Sequence, residues 1–196
     1  MKQLLILSGK GGTGKTTTSA SFIAFSDAKT FADCDVDAPN LHLVTEADGE
    51  PVKSSFTGSD KAVIHKDKCT GCNACYDNCR FHAVIPEKGY CRVNELTCEG
   101  CGVCQAVCPA DAITMEKDIA GDLMLSKGTK TFSTARLKMG RGTSGKLVAE
   151  VKKNMKENSS SGENDFSISI YPKSSLFLLN YQHLSYPSAS NPDNWV

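Results

Sequence analysis

Hydrophobic and polar positions near the start of the chain predict an α/β unit. Residues 4–7 form a short apolar run bounded by Ser8 and Gly9, which is typical of a buried strand. A glycine-rich turn follows, then a helix expected over 15–27 and a second short strand over 30–32. A strand, a turn, a helix and a strand at this spacing predict a βαβ unit, for which a parallel sheet is the expected context.

The middle of the chain, residues 61–117, is an internal duplication. Each half has a short apolar strand, a cysteine run with one expected helical turn, and a second strand. The strands are expected at 63–64 and 83–85 in the first half, and at 91–93 and 112–114 in the second.

The segment after residue 117 ends in a predicted helix, and a serine-rich tail without a helical pattern follows it. An amphipathic helix is predicted over 146–157, with apolar residues on one side and charged residues on the other. Residues 158–196 are rich in serine, contain no cysteine and lack a sustained amphipathic period. We expect this tail to have no fold of its own, with 174–179 as a candidate strand.

Composition and charge narrow the class of protein. The 196 residues carry 22 basic and 22 acidic side chains and no arginine-rich stripe, so nucleic acid is not an expected partner. A membrane span would need about 18 consecutive apolar residues and a secretory signal roughly 7–15, and neither is found. Nine of the ten cysteines lie between Cys69 and Cys108. In a chain expected to be cytoplasmic, such clustering indicates metal or redox chemistry rather than disulfides.

The glycine-rich turn fits the phosphate-binding pattern G-x-x-x-x-G-K-[ST]. Its glycines let backbone N–H groups face phosphate oxygens, and the following helix N-terminus favours an anion. Lys15 is expected to reach the β- and γ-phosphates and the Thr16 hydroxyl to bind Mg²⁺. A chance glycine turn is the alternative. The candidate nucleotide-binding residues are Gly9, Lys10, Gly11, Gly12, Thr13, Gly14, Lys15, Thr16 and Thr17.

An acidic run follows the second predicted strand. Ligands of parallel α/β sheets gather at the carboxyl ends of strands, so Asp33 and Asp35 are candidates to order a water or hold hydrated Mg²⁺. The alternative is an acidic loop that simply ends the strand. Cys34, between them, is interpreted as a small buried side chain.

The two cysteine runs have the spacing C-x2-C-x2-C-x3-C of bacterial two-cluster ferredoxins. The fourth cysteine of each run is expected to bind the cluster of the other run. Structural zinc is the alternative, although zinc needs only four ligands. Cys91 is interpreted as a packing residue. The predicted ligands are Cys69, Cys72, Cys75 and Cys108 for cluster 1, and Cys98, Cys101, Cys104 and Cys79 for cluster 2.

Together, the segment from Lys10 to Thr17, the acidic run and the cysteine runs resemble the MinD/ParA superfamily of ATPases that carry an inserted ferredoxin domain. The resemblance covers residues 1–157. It implies an α/β P-loop NTPase fragment with an incomplete parallel sheet and an inserted α+β ferredoxin-like domain. The implied divisions are 1–60, 61–117 and 118–157, with 158–196 outside the family.

The resemblance also implies an activity. Lys10 would cross a nucleotide-dependent homodimer, Asp35 would position the attacking water, and Lys15 would complete the catalytic set. ATP and Mg²⁺ would join two [4Fe-4S] clusters as cofactors. ATP binding and hydrolysis would drive electron or cluster delivery to a redox or cluster-accepting protein. A non-hydrolysing electron carrier and an iron–sulfur assembly carrier are the alternatives.

The family pattern stops near residue 157. The family continues with an apolar strand ending in Asp and a Pro-Pro-Gly switch, and neither follows here. A truncated or frame-shifted chain is the hypothesis. We expect the first strand to be left partly uncovered and the second acidic group near Mg²⁺ to be missing. ATPase activity is therefore left open.

Overall fold

The computed structural model describes residues 2–7, 12–159 and 166–171, and the elements below lie within these ranges. The helices are α1 Lys15–Ser26, α2 Ala74–Asp77, α3 Val103–Ala106 and α4 Ser144–Glu157, with a 3₁₀ helix at Leu41–Leu43. The strands are β1 Lys2–Ile6, β2 Thr30–Asp33, β3 Val52–Thr57, β4 Lys61–Ile64, β5 Val84–Glu87, β6 Tyr90–Val93, β7 Ile113–Glu116, β8 Ile119–Lys127, β9 Thr131–Leu137 and β10 Phe166–Ile170.

Six strands form one mixed sheet in the order β1-β10-β2-β9-β8-β3. The pairs β1–β10, β10–β2 and β2–β9 are parallel, whereas β9–β8 and β8–β3 are antiparallel. The expectation of a parallel sheet is therefore wrong for the β8–β3 side. The helix and strands predicted near the start of the chain are confirmed, with β1 beginning and ending slightly earlier than expected.

The prediction that residues 158–196 have no fold of their own is wrong for Phe166–Ile170, which form the strand β10 inside the sheet. It lies between β1 and β2 and pairs with β1 from Lys2 to Ile6. In the described part of the chain, β1 is the edge strand of the sheet and its other side is unpaired, in line with the expectation that the first strand is left partly uncovered. The sequence hid β10 because Ser167 and Ser169 alternate with isoleucines and lower its hydrophobicity, although they keep the period of two. The candidate strand at 174–179 lies outside the described residues.

Helices cover both faces of the sheet. The predicted amphipathic helix is confirmed as α4, which packs on one face through Leu147, Val151 and Met155. On the other face, Ile23 of α1 lies in a cluster with Phe31 and Phe132, whose ring centroids are 5.0 Å apart. The serines of α1 return hydroxyl hydrogen bonds to carbonyls four residues earlier, which satisfies these poor helix formers within the helix.

The cysteine-rich module lies between β3 and β8 along the chain. It contains an antiparallel pair, β4–β7, and an antiparallel hairpin, β5–β6, with α2 and α3 as the single helical turns. The predicted strands and helical turns of the duplication are thereby confirmed. Strands from both sides of the module belong to the same six-stranded sheet, which fixes the module at the β3–β8 end of the fold.

Candidate functional site

Two cavities inside the cysteine-rich module are each lined by four cysteines from the two runs. Cavity 1 has an apolar wall that includes Ile64 and Ile113. Its run cysteines are Cys69, Cys72, Cys75 and Cys108.

Cavity 2 is the counterpart of cavity 1 in the other half of the duplication. Its apolar wall includes Val84, Val93 and Met115. Its run cysteines are Cys79, Cys98, Cys101 and Cys104. The structure thus brings together the two predicted sets of four, with the fourth cysteine of each run lining the cavity of the other.

Left-handed backbone positions shape the cysteine loops. Gly71 and Gly100 have φ of 68° and 70°, and Asn73 and Gly102, just before α2 and α3, have φ of 62° and 75°. These residues occupy matching positions in the two halves. Glycine and asparagine tolerate this region better than other residues, which explains their place beside the cysteines.

Backbone amides donate to the sulfur atoms of the exchanged cysteines. The Ala83 N–H lies 3.3 Å from Cys79 Sγ, and the Ala112 N–H lies 3.4 Å from Cys108 Sγ. Such N–H···S bonds stabilise negative charge on sulfur and tune the potential of a bound cluster. Both halves of the duplication therefore place a backbone N–H group at the sulfur of the fourth cysteine of their run.

Burial disfavours thiolates in both cavities when no cation is bound. Burial raises the pKa of Cys75 to about 12 and also raises the pKa of Cys104. Coordinated iron would reverse this balance, because a coordinating thiol is deprotonated by the positive charge of the metal.

The donor chemistry of both cavities fits a [4Fe-4S] cluster. Four thiols surround an apolar space in each, and soft thiolate donors are those that such clusters use. In the described part of the chain, no group of three or more Cys, His, Asp or Glu side chains is arranged to hold a single metal ion. A cubane offers a separate iron to each thiolate, so its ligands stand around a cavity rather than around one point.

Cys91 is a further thiol that the sequence interpretation treated as packing. It is 1% exposed on β6 and lines cavity 1 beside the four run cysteines. Its spacing to either run carries no motif, so only the fold places it there.

Lys61 brings a buried positive charge to the loop of cavity 2. Its ammonium group donates a hydrogen bond to the backbone carbonyl of Cys98, and the residue is 9% exposed. Sequence reasoning missed this residue because a lysine at the start of a strand has no distinctive spacing.

The glycine turn leads directly into α1, as predicted. Gly12 and Gly14 have φ of 75° and 84°, and α1 begins at Lys15. The Thr16 hydroxyl donates to Asn40 Oδ1 at 2.8 Å, which ties the helix start to the loop after β2. The structure also describes Thr13 and Thr17, whereas Gly9, Lys10 and Gly11 lie outside the described residues.

The acidic run closes against the same edge of the sheet. The Asp33 carboxylate accepts the backbone N–H groups of Asp35, Asn40 and Leu41, each at 3.0 Å, so it holds the loop together. Asp35 is half-buried, and burial followed by the charge of Asp33 raises its pKa, while Lys15 lowers it. Cys34 is fully buried, as predicted, and burial raises its pKa to about 12.

Tyr171 follows β10 at the same edge. Its backbone N–H donates to the Ile6 carbonyl at 3.2 Å, and the side chain is buried against Cys34. An aromatic side chain therefore follows β10, at the place where the resemblance implies an aspartate after a strand.

The module and the sheet meet at Arg141. Its Nη1 donates to the Glu95 carbonyl at 3.1 Å, and its Nε lies 2.9 Å from Asp118 Oδ2. Glu95 belongs to the loop before Cys98, so this side chain links the cavity 2 loop to the segment that enters α4.

Comparison with known proteins supports the reading of the module. The family described as 4Fe-4S dicluster domain matches residues 62–115. An uncharacterised protein of Methanocaldococcus jannaschii is 32% identical over 159 residues, covering 79% of this chain and 55% of that protein. The chain therefore spans about half the length of the relative it matches.

The chain therefore contains an iron–sulfur module of the [4Fe-4S] dicluster type. Among the described residues, the helices are all too short or too polar to cross a membrane. The family match covers residues 62–115 alone and does not include the phosphate-binding segment or the strands of the six-stranded sheet.

Proposed function

We propose that the protein is an electron carrier that holds one [4Fe-4S] cluster in each cavity. The observation that carries this proposal is the exchange of the fourth cysteine, Cys79 and Cys108, between the two cavities. Cluster 1 would be held by Cys69, Cys72, Cys75 and Cys108, and cluster 2 by Cys79, Cys98, Cys101 and Cys104.

The two cavities suit electron exchange with a redox partner. A bound [4Fe-4S] cluster takes up and releases one electron at a time. The apolar walls exclude water, and the amides of Ala83 and Ala112 hold negative charge on Cys79 and Cys108. Cys72 and Cys101 are exposed, so each cavity has one ligand at the surface where a partner protein can approach.

Anaerobic reconstitution tests the proposal. We expect about eight irons and eight sulfides per chain, with absorbance near 400 nm. Cys72→Ala and Cys101→Ala should each remove about four irons, because each takes a ligand from a different cluster. Stoichiometric zinc in a colourless protein would refute the proposal.

A second function, coupling of ATP binding and hydrolysis to electron or cluster delivery, is supported by the edge of the sheet. The helix start at Lys15, the Thr16–Asn40 hydrogen bond and the half-buried Asp35 converge there. Lys15 would meet the phosphates, Thr16 would meet Mg²⁺ and Asp35 would orient water. Tyr171 supplies no carboxylate after β10, so we expect slow turnover.

Nucleotide binding and turnover test this coupling. ATP binding by equilibrium dialysis should be lost in Lys15→Ala and kept in Lys29→Ala, a control in an exposed ion pair with Asp27. Lys10→Ala should keep binding but lose ATP-driven homodimerisation in sedimentation experiments. Equal ATP binding by Lys15→Ala and the wild type would contradict the coupling and favour an electron carrier that does not hydrolyse ATP. Transfer of a cluster to an iron-free acceptor protein would favour an iron–sulfur assembly carrier.

A further inference from the structure

Cavity 1 contains a fifth thiol. Cys91 lies on β6, opposite Pro86 of β5 in the hairpin, and its side chain lines the cavity with the four run cysteines. It is 1% exposed, so solvent does not compete for its sulfur.

Among the run cysteines of cavity 1, Cys75 is the one that is buried in the same cluster as Cys91. The two residues are 7% and 1% exposed. Cys91 Sγ also lies 3.4 Å from Asn73 Oδ1, an acceptor that belongs to the loop of the first run. A thiol is a weak donor, so giving up this bond costs little.

Cavity 2 offers a comparison within the same molecule. Among the described residues, the cysteines that line it are the four of its predicted set, and Cys104 holds the third place in its run, as Cys75 does in the first. Each cavity therefore has its own set of four run cysteines, and cavity 1 has the thiol of Cys91 in addition.

We propose that Cys91 is a reserve ligand of cluster 1 that takes the iron bound by Cys75 when Cys75 is lost. This inference rests on the proposed function, since it assigns a fifth donor to a cluster in cavity 1. Its physical basis is a water-excluded thiol that lines the same cavity as the ligand it would replace and belongs to the same buried cluster.

The ligand exchange is balanced by a proton. The Cys91 S–H bond breaks, the proton goes to the buffer, and the resulting thiolate sulfur bonds to the iron. The charge of the ligand set stays the same as with Cys75, and no electron is transferred. A short side chain at residue 75 leaves room for the Cys91 sulfur to move toward the vacated position.

Iron and sulfide content and electron paramagnetic resonance of the reduced protein test the inference. We expect the wild type and Cys91→Ala to hold about eight irons per chain, and Cys75→Ala also to hold about eight. The matched control Cys104→Ala should fall to about four, and so should the double variant Cys75→Ala/Cys91→Ala.

The outcomes separate this inference from the proposed function. A wild type without iron would overturn the proposed function. A wild type with about eight irons, together with a Cys75→Ala variant that holds four or fewer, would overturn the reserve-ligand role alone. The cluster 2 resonance in Cys75→Ala reports that the module has folded, and its disappearance would also count against the inference.

Discussion

Lys61 is a buried cation on one half of a duplicated module. Its ammonium group donates to the Cys98 carbonyl, in the loop that lines cavity 2. The matching position in the other half is Tyr90, which carries no positive charge and whose hydroxyl instead donates to Glu87 at 2.7 Å. The two clusters of the proposed carrier would therefore have different electrostatic surroundings despite having the same ligands.

We predict that Lys61→Met lowers the reduction potential of cluster 2 and leaves cluster 1 nearly unchanged. A positive charge favours the reduced and more negative cluster, so its removal favours the oxidised one. The expected shift is on the order of tens of millivolts for a partly screened charge. Redox titration with resonance detection measures both clusters in one sample.

Lys66→Met is the control for this charge. The Lys66 ammonium lies 4.4 Å from the centroid of the Tyr90 ring, and the residue is exposed, so solvent screens its charge. Equal shifts in both clusters, or the same effect from both lysines, would show that Lys61 has no local role.

Gly100 and Gly102 have the same left-handed backbone but different surroundings. A Cβ atom at Gly100 would overlap the carbonyl oxygen of Asp60, whereas one at Gly102 would meet nothing within 4 Å. The first glycine is required by close backbone approach as well as by φ, and the second by φ alone.

We predict that Gly100→Ala impairs cluster 2 much more than Gly102→Ala does. Gly102→Ala should cost about 1–2 kcal/mol, which is the strain of a left-handed residue. Gly100→Ala must also move backbone at the module edge, so it should lower the iron content and the cluster 2 resonance. Equal iron content in the two variants would contradict the predicted close approach.

At the scale of elements, β10 gains its position from its neighbours rather than from its own hydrophobicity. Ile168 and Ile170 face the α1 side of the sheet, and Ser169 reaches Met155 of α4 on the other. Parallel ladders with β1 and β2 satisfy its backbone groups on both sides. A strand of alternating serine and isoleucine is stable here because it pairs with a neighbour on each side.

We predict opposite effects for the two serines of β10. Ser167 Oγ is buried without a hydrogen-bond partner among the described residues, so Ser167→Ala should stabilise the fold by about 1 kcal/mol. Ser169 Oγ accepts from Gln3 Nε2 at 3.3 Å and lies 3.6 Å from Met155 Sδ, so Ser169→Ala should destabilise by about as much. Hydrogen exchange of the β1 and β10 amides measures both changes in stability. Changes of the same sign in the two variants would contradict the predicted difference between Ser167 and Ser169.

The elements that the sequence predicted well are those with local signals. The helix α4 has an apolar stripe, and the cysteine module has a repeated motif with glycine and asparagine at its tight turns. The strands β3, β8 and β9 escaped prediction because β3 pairs with β8, and β2 with β9, across the insertion, where Ser54 faces Leu123 and Ala32 faces Ser133. Such pairs depend on residues far apart in the chain.

At the scale of the whole molecule, Arg141 connects the sheet to the module. It donates a hydrogen bond to the Glu95 carbonyl on one side and forms an ion pair with Asp118 on the other, and both Arg141 and Asp118 have side chains only 13% exposed. The loop before Cys98 is thereby tied to the segment that enters α4. Movement of one part would be transmitted to cavity 2 through this contact.

We predict that Arg141→Gln loosens this junction. Asp118 would keep a largely buried carboxylate without its cation, at a cost of about 1–3 kcal/mol. Hydrogen exchange should increase in β8 and in the loop before Cys98, while the β5–β6 hairpin should stay protected. The exposed Arg136→Gln is the control, and equal exchange in the two variants would contradict the role of Arg141.

The sequence by itself determined the two sets of four cysteines, because the cysteine spacing is a local pattern that allows few other uses. For the glycine turn it predicted the turn and the start of α1, and the nucleotide chemistry of that turn stays a proposal. Tertiary structure decided the rest. It brought Cys91 into cavity 1 and Lys61 to the loop of cavity 2, and it set β10 between β1 and β2. Each of these results depends on burial and pairing between distant segments, which no window of the sequence contains.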